Sequence, residues 1–183
     1  MRSWFLFSSL VLSGLTACRP GPNADSAVAN DPAVLMHNDF EASAGWGPSN
    51  PTLTTEKAHS GRWSLRTTPE QPFSYTYARA LGELSPTPFR KLRLEAQVLR
   101  AAEGSTAQLI VQVDASPTDE AKVFYSNLPL ATAVTKVNSW TAVHLPITLP
   151  TSVQSTNVLK VYLWNDRATA PSYLDDVVLH RVE

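Results

Sequence analysis

The chain has 183 residues, 43% of them hydrophobic and 17% charged, which suits one globular domain with a substantial core. Its formal net charge of −1, with no basic run longer than Arg90-Lys91-Leu92-Arg93, excludes a polyanion-binding surface of the nucleic-acid kind.

At the N terminus Arg2 precedes an apolar stretch over residues 4–12, too short to span a bilayer as a helix. Small residues follow, then Leu15-Thr16-Ala17-Cys18. This segment resembles the lipobox of bacterial lipoproteins. The resemblance implies a leader over 1–17, cleavage before Cys18 and diacylation of its thiol. Cys18 is the only cysteine, so no intrachain disulfide can form. Each acyl chain contributes about 0.8 kcal/mol per buried CH₂, and two or more hold a protein on a membrane. By the same resemblance, Arg19 in place of Asp after the lipidated residue favours the outer over the inner membrane. The expected location is the bacterial cell envelope.

Residues 18–32 read as a tether. Pro20, Gly21, Pro22, Asn23, Asp25, Asn30, Asp31 and Pro32 punctuate it, and apolar side chains larger than Ala are nearly absent.

From 33 to 183 the pattern becomes period two. In residues 91–98, Leu92, Leu94, Ala96 and Val98 face one side and Arg93, Glu95 and Gln97 the other, the signature of a half-buried antiparallel strand. Residues 107–113 alternate likewise. Further strands are expected at 35–41, 63–67, 74–81, 123–128, 141–149, 158–165 and 173–182. Pro146 requires an edge strand or a bulge, and fourteen prolines argue against long helices. The expected fold is all-β: a two-sheet antiparallel β-sandwich of jelly-roll type in a single domain.

Four motifs in order carry a second resemblance: Asn38-Asp39-Phe40-Glu41 with Gly45-Trp46, the run from Ala58 through His59-Ser60-Gly61 to Leu65, Val161-Tyr162-Leu163-Trp164-Asn165, and Tyr173-Leu174-Asp175-Asp176-Val177. Together they resemble galactose-binding-like β-jelly-roll domains, which include several carbohydrate-binding modules of bacterial polysaccharide-degrading systems. The resemblance implies a structural Ca²⁺ ion held by the Glu41 carboxylate, the backbone at His59 and Ser60, and Asp175. Oxygen ligands of these kinds suit calcium. Alternation with Val177 and Leu179 turns Asp175 inward, where a carboxylate needs a partner. The other reading of these residues is that Asp175 accepts hydrogen bonds from a turn and Glu41 is a solvated edge residue.

Sugar sites use aromatic rings as platforms and polar groups to fix orientation. Tyr125 and Asn127 share one side of their strand, and Trp164 stands opposite the apolar face of its own. These three, with Arg93 and Gln112 as outward polar partners, form the expected ligand site. Trp46, Trp63 and Trp140 are expected to pack in the core or at its edge.

Enzymatic signatures are missing: there is no Gly-Xxx-Ser-Xxx-Gly elbow, no His-Glu-Xxx-Xxx-His, no phosphate-binding glycine loop, and the four histidines lack ligand spacing. The expectation is therefore a non-catalytic glycan-binding lipoprotein that captures polysaccharide at the envelope. The alternatives are a structural or protein-interaction lipoprotein with the same fold and, behind it, a small glycan hydrolase.

Overall fold

The computed structural model describes residues 31–43 and 50–182. Cys18, the leader, nearly all of the tether, and Gly45 and Trp46 lie outside the described residues. Ten strands follow in chain order: β1 (Val34–Asn38), β2 (Leu53–Thr54), β3 (Ser64–Thr67), β4 (Tyr77–Ala80), β5 (Lys91–Arg100), β6 (Gln108–Asp114), β7 (Lys122–Pro129), β8 (Thr141–Thr148), β9 (Val158–Trp164) and β10 (Ser172–Arg181). Two single-turn α-helices, α1 (Leu81–Leu84) and α2 (Leu130–Ala133), and a 3-10 turn at Glu41–Ser43 interrupt them.

The strands form two antiparallel sheets. The six-stranded sheet runs β2-β3-β10-β5-β8, with β1 also paired to β10; the four-stranded sheet runs β4-β9-β6-β7. The two-sheet sandwich expected from the alternation is what forms. Leu92, Leu94, Ala96 and Val98 of β5 face Leu109, Val111 and Val113 of β6 and Leu159, Val161 and Leu163 of β9 in one continuous core. Burying each such side chain contributes about 1.5–3 kcal/mol, so the period-two pattern fixes which face of each strand turns inward.

Local chemistry sets the ends of these elements. The first strand stops at Asn38 rather than running to Glu41. There the Asn38 and Asp39 side chains accept the Phe40 and Glu41 amides, and Phe40 adopts a φ of 64°. Pro146 lies in β8, at one edge of its sheet, where its missing N–H costs no ladder bond. The two-residue β2 escapes the sequence reading because it is too short to show alternation.

β10 organises the six-stranded sheet. One of its edges pairs with β5 along its whole length, while the other pairs first with β3 (Ser172–Leu174) and then with β1 (Val177–His180). Between these two stretches the register against β5 shifts after Asp175, and Asp176 takes a φ of 45°. This bulge changes the phase of the strand: Leu174 and Val177 both reach the core, with two aspartates between them. Asp175 pairs with Gln97, on the outer side of the sheet, so the expected alternation of Asp175 with Val177 is corrected. Asp175 is nonetheless fully buried, because the segment from His59 to Trp63 closes over it.

At the end of the sandwich, buried Arg100 donates to the carbonyls of Ser105 (2.8 Å), Val134 (2.8 Å) and Glu103 (2.9 Å). It ties β5 to the turn before β6 and to the residue after α2. Arg100→Lys keeps the charge but cannot span three carbonyls. It is expected to lower stability by about 1–3 kcal/mol, read as a shift in denaturant midpoint at unchanged slope; an unchanged midpoint would show that the carbonyls are satisfied without the guanidinium.

Candidate functional site

Two groupings of polar and aromatic side chains lie outside the core, one on each sheet. The first occupies the outer face of the four-stranded sheet. Tyr125 and Asn127 of β7, Gln108, Ile110, Gln112 and Asp114 of β6, and Lys160, Tyr162 and Trp164 of β9 all project there, as the cross-strand pairs Gln112–Tyr125, Ile110–Asn127, Ile110–Tyr162 and Gln108–Trp164 require. Phe73, just before β4, joins them through a bridge to Trp164. The Phe73 and Trp164 rings are stacked, with centroids 6.2 Å apart and planes 3° from parallel, and Tyr162 leans on Phe73 at 6.2 Å. Phe73 is the outermost ring of this stack, 50% exposed.

Beneath the aromatics the polar groups of β6 are already committed. Gln112 is buried; its Oε1 accepts the Tyr162 hydroxyl at 3.0 Å and its Nε2 donates to Asp114 at 2.5 Å. Fully buried Asp114 pairs with Lys160 Nζ at 2.7 Å, and Glu120 holds the same ammonium at 3.2 Å. The Asp114 bond, ahead of the cost of burial, raises the Lys160 pKa above its usual value. Burial also raises the Tyr162 and Tyr125 phenols. Farther along the face, Asn127 donates to Gln108, which donates to Asp166 at 3.2 Å. The Lys122 ammonium stands 5.1 Å from the Tyr125 ring centroid, so a cation already faces that ring, which is 40% exposed.

Of the five ligand residues expected from sequence, the fold brings Tyr125, Asn127, Gln112 and Trp164 onto this one face. Arg93 is the correction: it lies on β5 in the other sheet, where its Nε pairs with Glu95 at 2.8 Å. Alternation gave its side of the strand but could not say which sheet it belonged to. The residue missed was Phe73, because it precedes β4 in an irregular segment with no period to place it.

The second grouping surrounds the bulge of β10. Asp175 Oδ2 accepts the amides of His59 (2.7 Å) and Ser60 (3.3 Å), and its Oδ1 accepts the Asp176 amide at 2.8 Å. Glu41 Oε1 accepts the amides of Arg62 and Trp63, both at 2.7 Å. The two carboxylates thus grip one turn, one from β10 and one from the residues that follow β1. Gly61, at a φ of 55°, is required between them, since a Cβ there would lie 2.4 Å from the Glu41 carboxyl carbon. Asp176 accepts the Ser60 hydroxyl at 2.6 Å and meets His59 Nδ1 at 2.5 Å.

These are the four residues expected to hold calcium, and the fold does assemble them. His59 and Ser60 meet Asp175 through amides rather than carbonyls, which matches the turn-capping reading of Asp175. Glu41 likewise caps the turn instead of standing solvated. Among the described residues no three His, Cys, Asp or Glu side chains converge as a metal-holding group. Burial pushes the Asp175 pKa up to about 6 despite its amide donors, and among the described residues no Lys or Arg pairs with Asp175 or Glu41. The remaining expectations divide. Trp63 packs against the core, whereas Trp140 does not join it and instead meets the His59 ring edge-on at 5.8 Å.

No family model matches the sequence, and no curated protein matches it. Solved structures with the same fold do exist. A family 16 carbohydrate-binding module is 17% identical with a TM-score of 0.53, over 79% of this chain and 97% of that one. The C-terminal family 22 carbohydrate-binding module of a Clostridium thermocellum protein is 15% identical with a TM-score of 0.51, over 88% of this chain and 96% of that one. The CBM22-2 xylan-binding domain from Paenibacillus barcinonensis is 15% identical with a TM-score of 0.51, over 81% and 99%. The chain shares the β-sandwich of these modules; at such identities the likeness is one of fold.

Proposed function

We propose that this chain is a non-catalytic, glycan-binding lipoprotein that captures polysaccharide at the bacterial cell envelope, through the outer face of its four-stranded sheet. The observation that carries the reading is the Phe73–Trp164–Tyr162 cluster, its Phe73 ring exposed and the other two half-buried, set over a locked polar layer of Gln112, Asp114 and Lys160. Ring faces supply stacking surface for pyranose rings, and prefixed amides and hydroxyls orient them at little entropic cost. Support also comes from the shared fold, since the structures of similar fold are carbohydrate-binding modules and one is a xylan-binding domain. A flat protein-docking face would expose contiguous apolar surface, whereas here amides and ion pairs interleave with the rings.

In this reading Cys18 carries the lipid anchor, and residues 18–32 hold the domain off the membrane, the outer membrane by preference. A calcium ion at the turn gripped by Glu41 and Asp175 would neutralise the buried carboxylate and stiffen the junction of β1, β3 and β10.

Retention of the full-length protein on xylan, β-glucan and mannan tests the binding face. Phe73→Ala and Trp164→Ala are each expected to weaken binding by roughly 0.5–1.5 kcal/mol, about two- to tenfold in Kd. Retention that survives both substitutions in a folded protein would move the site elsewhere, and no retention of the parent on any glycan would reject the reading.

The calcium assignment is read in thermal melts. Calcium is expected to raise the Tm of the parent above its value in chelator, since a ligand of the native state stabilises it by mass action. Asp175→Ala should erase that difference, and a parent melt indifferent to calcium and chelator would refute the assignment.

For the anchor, Cys18→Ser is expected to leave the membrane fraction or to stall with its leader attached. A variant that is processed and fractionates like the parent would exclude lipidation at this thiol.

A further inference from the structure

The outer face of the six-stranded sheet holds a hollow of about 310 Å³, lined by Glu95 and Gln97 of β5, Ala142 and His144 of β8, and Asp176 and Val178 of β10. Its cause is legible in the strands. Outward positions 142 and 144 alternate along the edge strand, and the small Ala142 leaves a gap beside His144 and across from Gln97. On the far side, the β10 bulge swings Asp176 out of register, where the bonds from His59 Nδ1 and Ser60 Oγ fix its carboxylate. The His59 ring in turn meets Trp140 edge-on at 5.8 Å, so an aromatic pair stands next to Asp176, beside the hollow rather than in its lining.

The polar groups around the hollow differ in what they have left to offer. Glu95 is engaged by Arg93 Nε at 2.8 Å and His180 Nε2 at 3.4 Å, and Asp176 by His59 and Ser60. Neither carboxyl sits in the apolar setting that makes a proton donor for glycoside hydrolysis. Gln97 and His144 make no side-chain hydrogen bond to other described residues. Both groups can donate and accept, as a sugar hydroxyl can. A volume near the lower end of the roughly 300–1,000 Å³ of small-ligand pockets fits one sugar unit rather than a length of polymer.

We infer that this hollow is a second, separate carbohydrate subsite, which takes a single sugar ring over Ala142 and Val178 with Gln97 and His144 reading its hydroxyls. The inference rests on the glycan-binding reading of the chain and extends it. Two sites on opposite sheets let one protein engage two strands of a polymer, or two polymers, and gain avidity without a tighter single contact.

Affinity electrophoresis of the full-length protein in gels containing soluble xylan, mixed-linkage β-glucan, galactomannan or polygalacturonate, against a gel without polysaccharide, tests it. Ala142→Trp fills the hollow from an exposed position, and Gln97→Ala removes a reading group with little bulk change. With whichever probe retards the parent, Ala142→Trp is expected to cut the retardation at least twofold and Gln97→Ala to weaken it. The Phe73→Ala/Ala142→Trp pair should abolish it. Parental retardation in Ala142→Trp and Gln97→Ala, both with unchanged melts, overturns the second subsite and leaves the aromatic face standing. Retardation lost on Ala142→Trp alone and untouched by Phe73→Ala and Trp164→Ala supports the hollow and removes the aromatic face. A parent retarded by none of the four probes overturns both.

Discussion

The architecture depends on the way β10 serves three strands at once. A strand has two edges, and β10 spends one on β5 and divides the other between β3 and β1. The division leaves a break in pairing at Asp175–Asp176, where backbone groups would otherwise go unsatisfied. Carboxylates fill the break. Asp175 takes the amides of the turn after β2, Glu41 takes those just beyond, and the connection between β2 and β3 is sewn to both the first strand and the last. Side chains do here what a ladder does elsewhere. The same bulge explains why Asp176 reaches the outer surface while Val177 remains in the core.

Because β1 and β10 are neighbours in the six-stranded sheet, the described chain starts and finishes on that sheet, and the aromatic cluster lies on the outer face of the other one. In a lipid-anchored protein this division has a consequence. If the proposed anchor precedes the domain, attachment would come through the sheet remote from Phe73 and Trp164 and would leave these rings clear.

Most of the fold was legible because it is written in period two. Nine strands announced themselves by alternation, and β5, β6 and β9 turned inward the residues that the pattern assigned. What could not be read has a physical reason in each case. Alternation places a side chain on one side of its strand, but Arg93 and Gln112 are both outward and belong to different sheets; only the long-range pairing of β5 with β10 and of β6 with β9 separates them. Alternation counted back from Leu179 puts Asp175 on the inner face, and a bulge, which adds one residue without changing composition, breaks that count. Phe73 stands in an irregular stretch and becomes part of a site only through Trp164, ninety-one positions away in the chain. Trp140, expected in the core or at its edge, precedes β8 and meets the His59 ring instead of joining the core.

The inner strand β6 of the four-stranded sheet shows how the face proposed for binding is built without a cleft. β6 is covered on both sides: Leu109, Val111 and Val113 fill the core, while Ile110, Gln112 and Asp114 are buried from the outside beneath their neighbours on β7 and β9. A buried amide and a buried carboxylate are costly unless every bond is made. Gln112 therefore has its orientation dictated by the Tyr162 hydroxyl on one side and Asp114 on the other, and Asp114 in turn holds the Lys160 ammonium. Tyr162 and Lys160 stand over that strand with their polar ends turned down onto it. The rigidity that a deep pocket obtains from its walls is here obtained from satisfaction of a buried polar layer, and the aromatic rings above it need only be flat, exposed and kept in place.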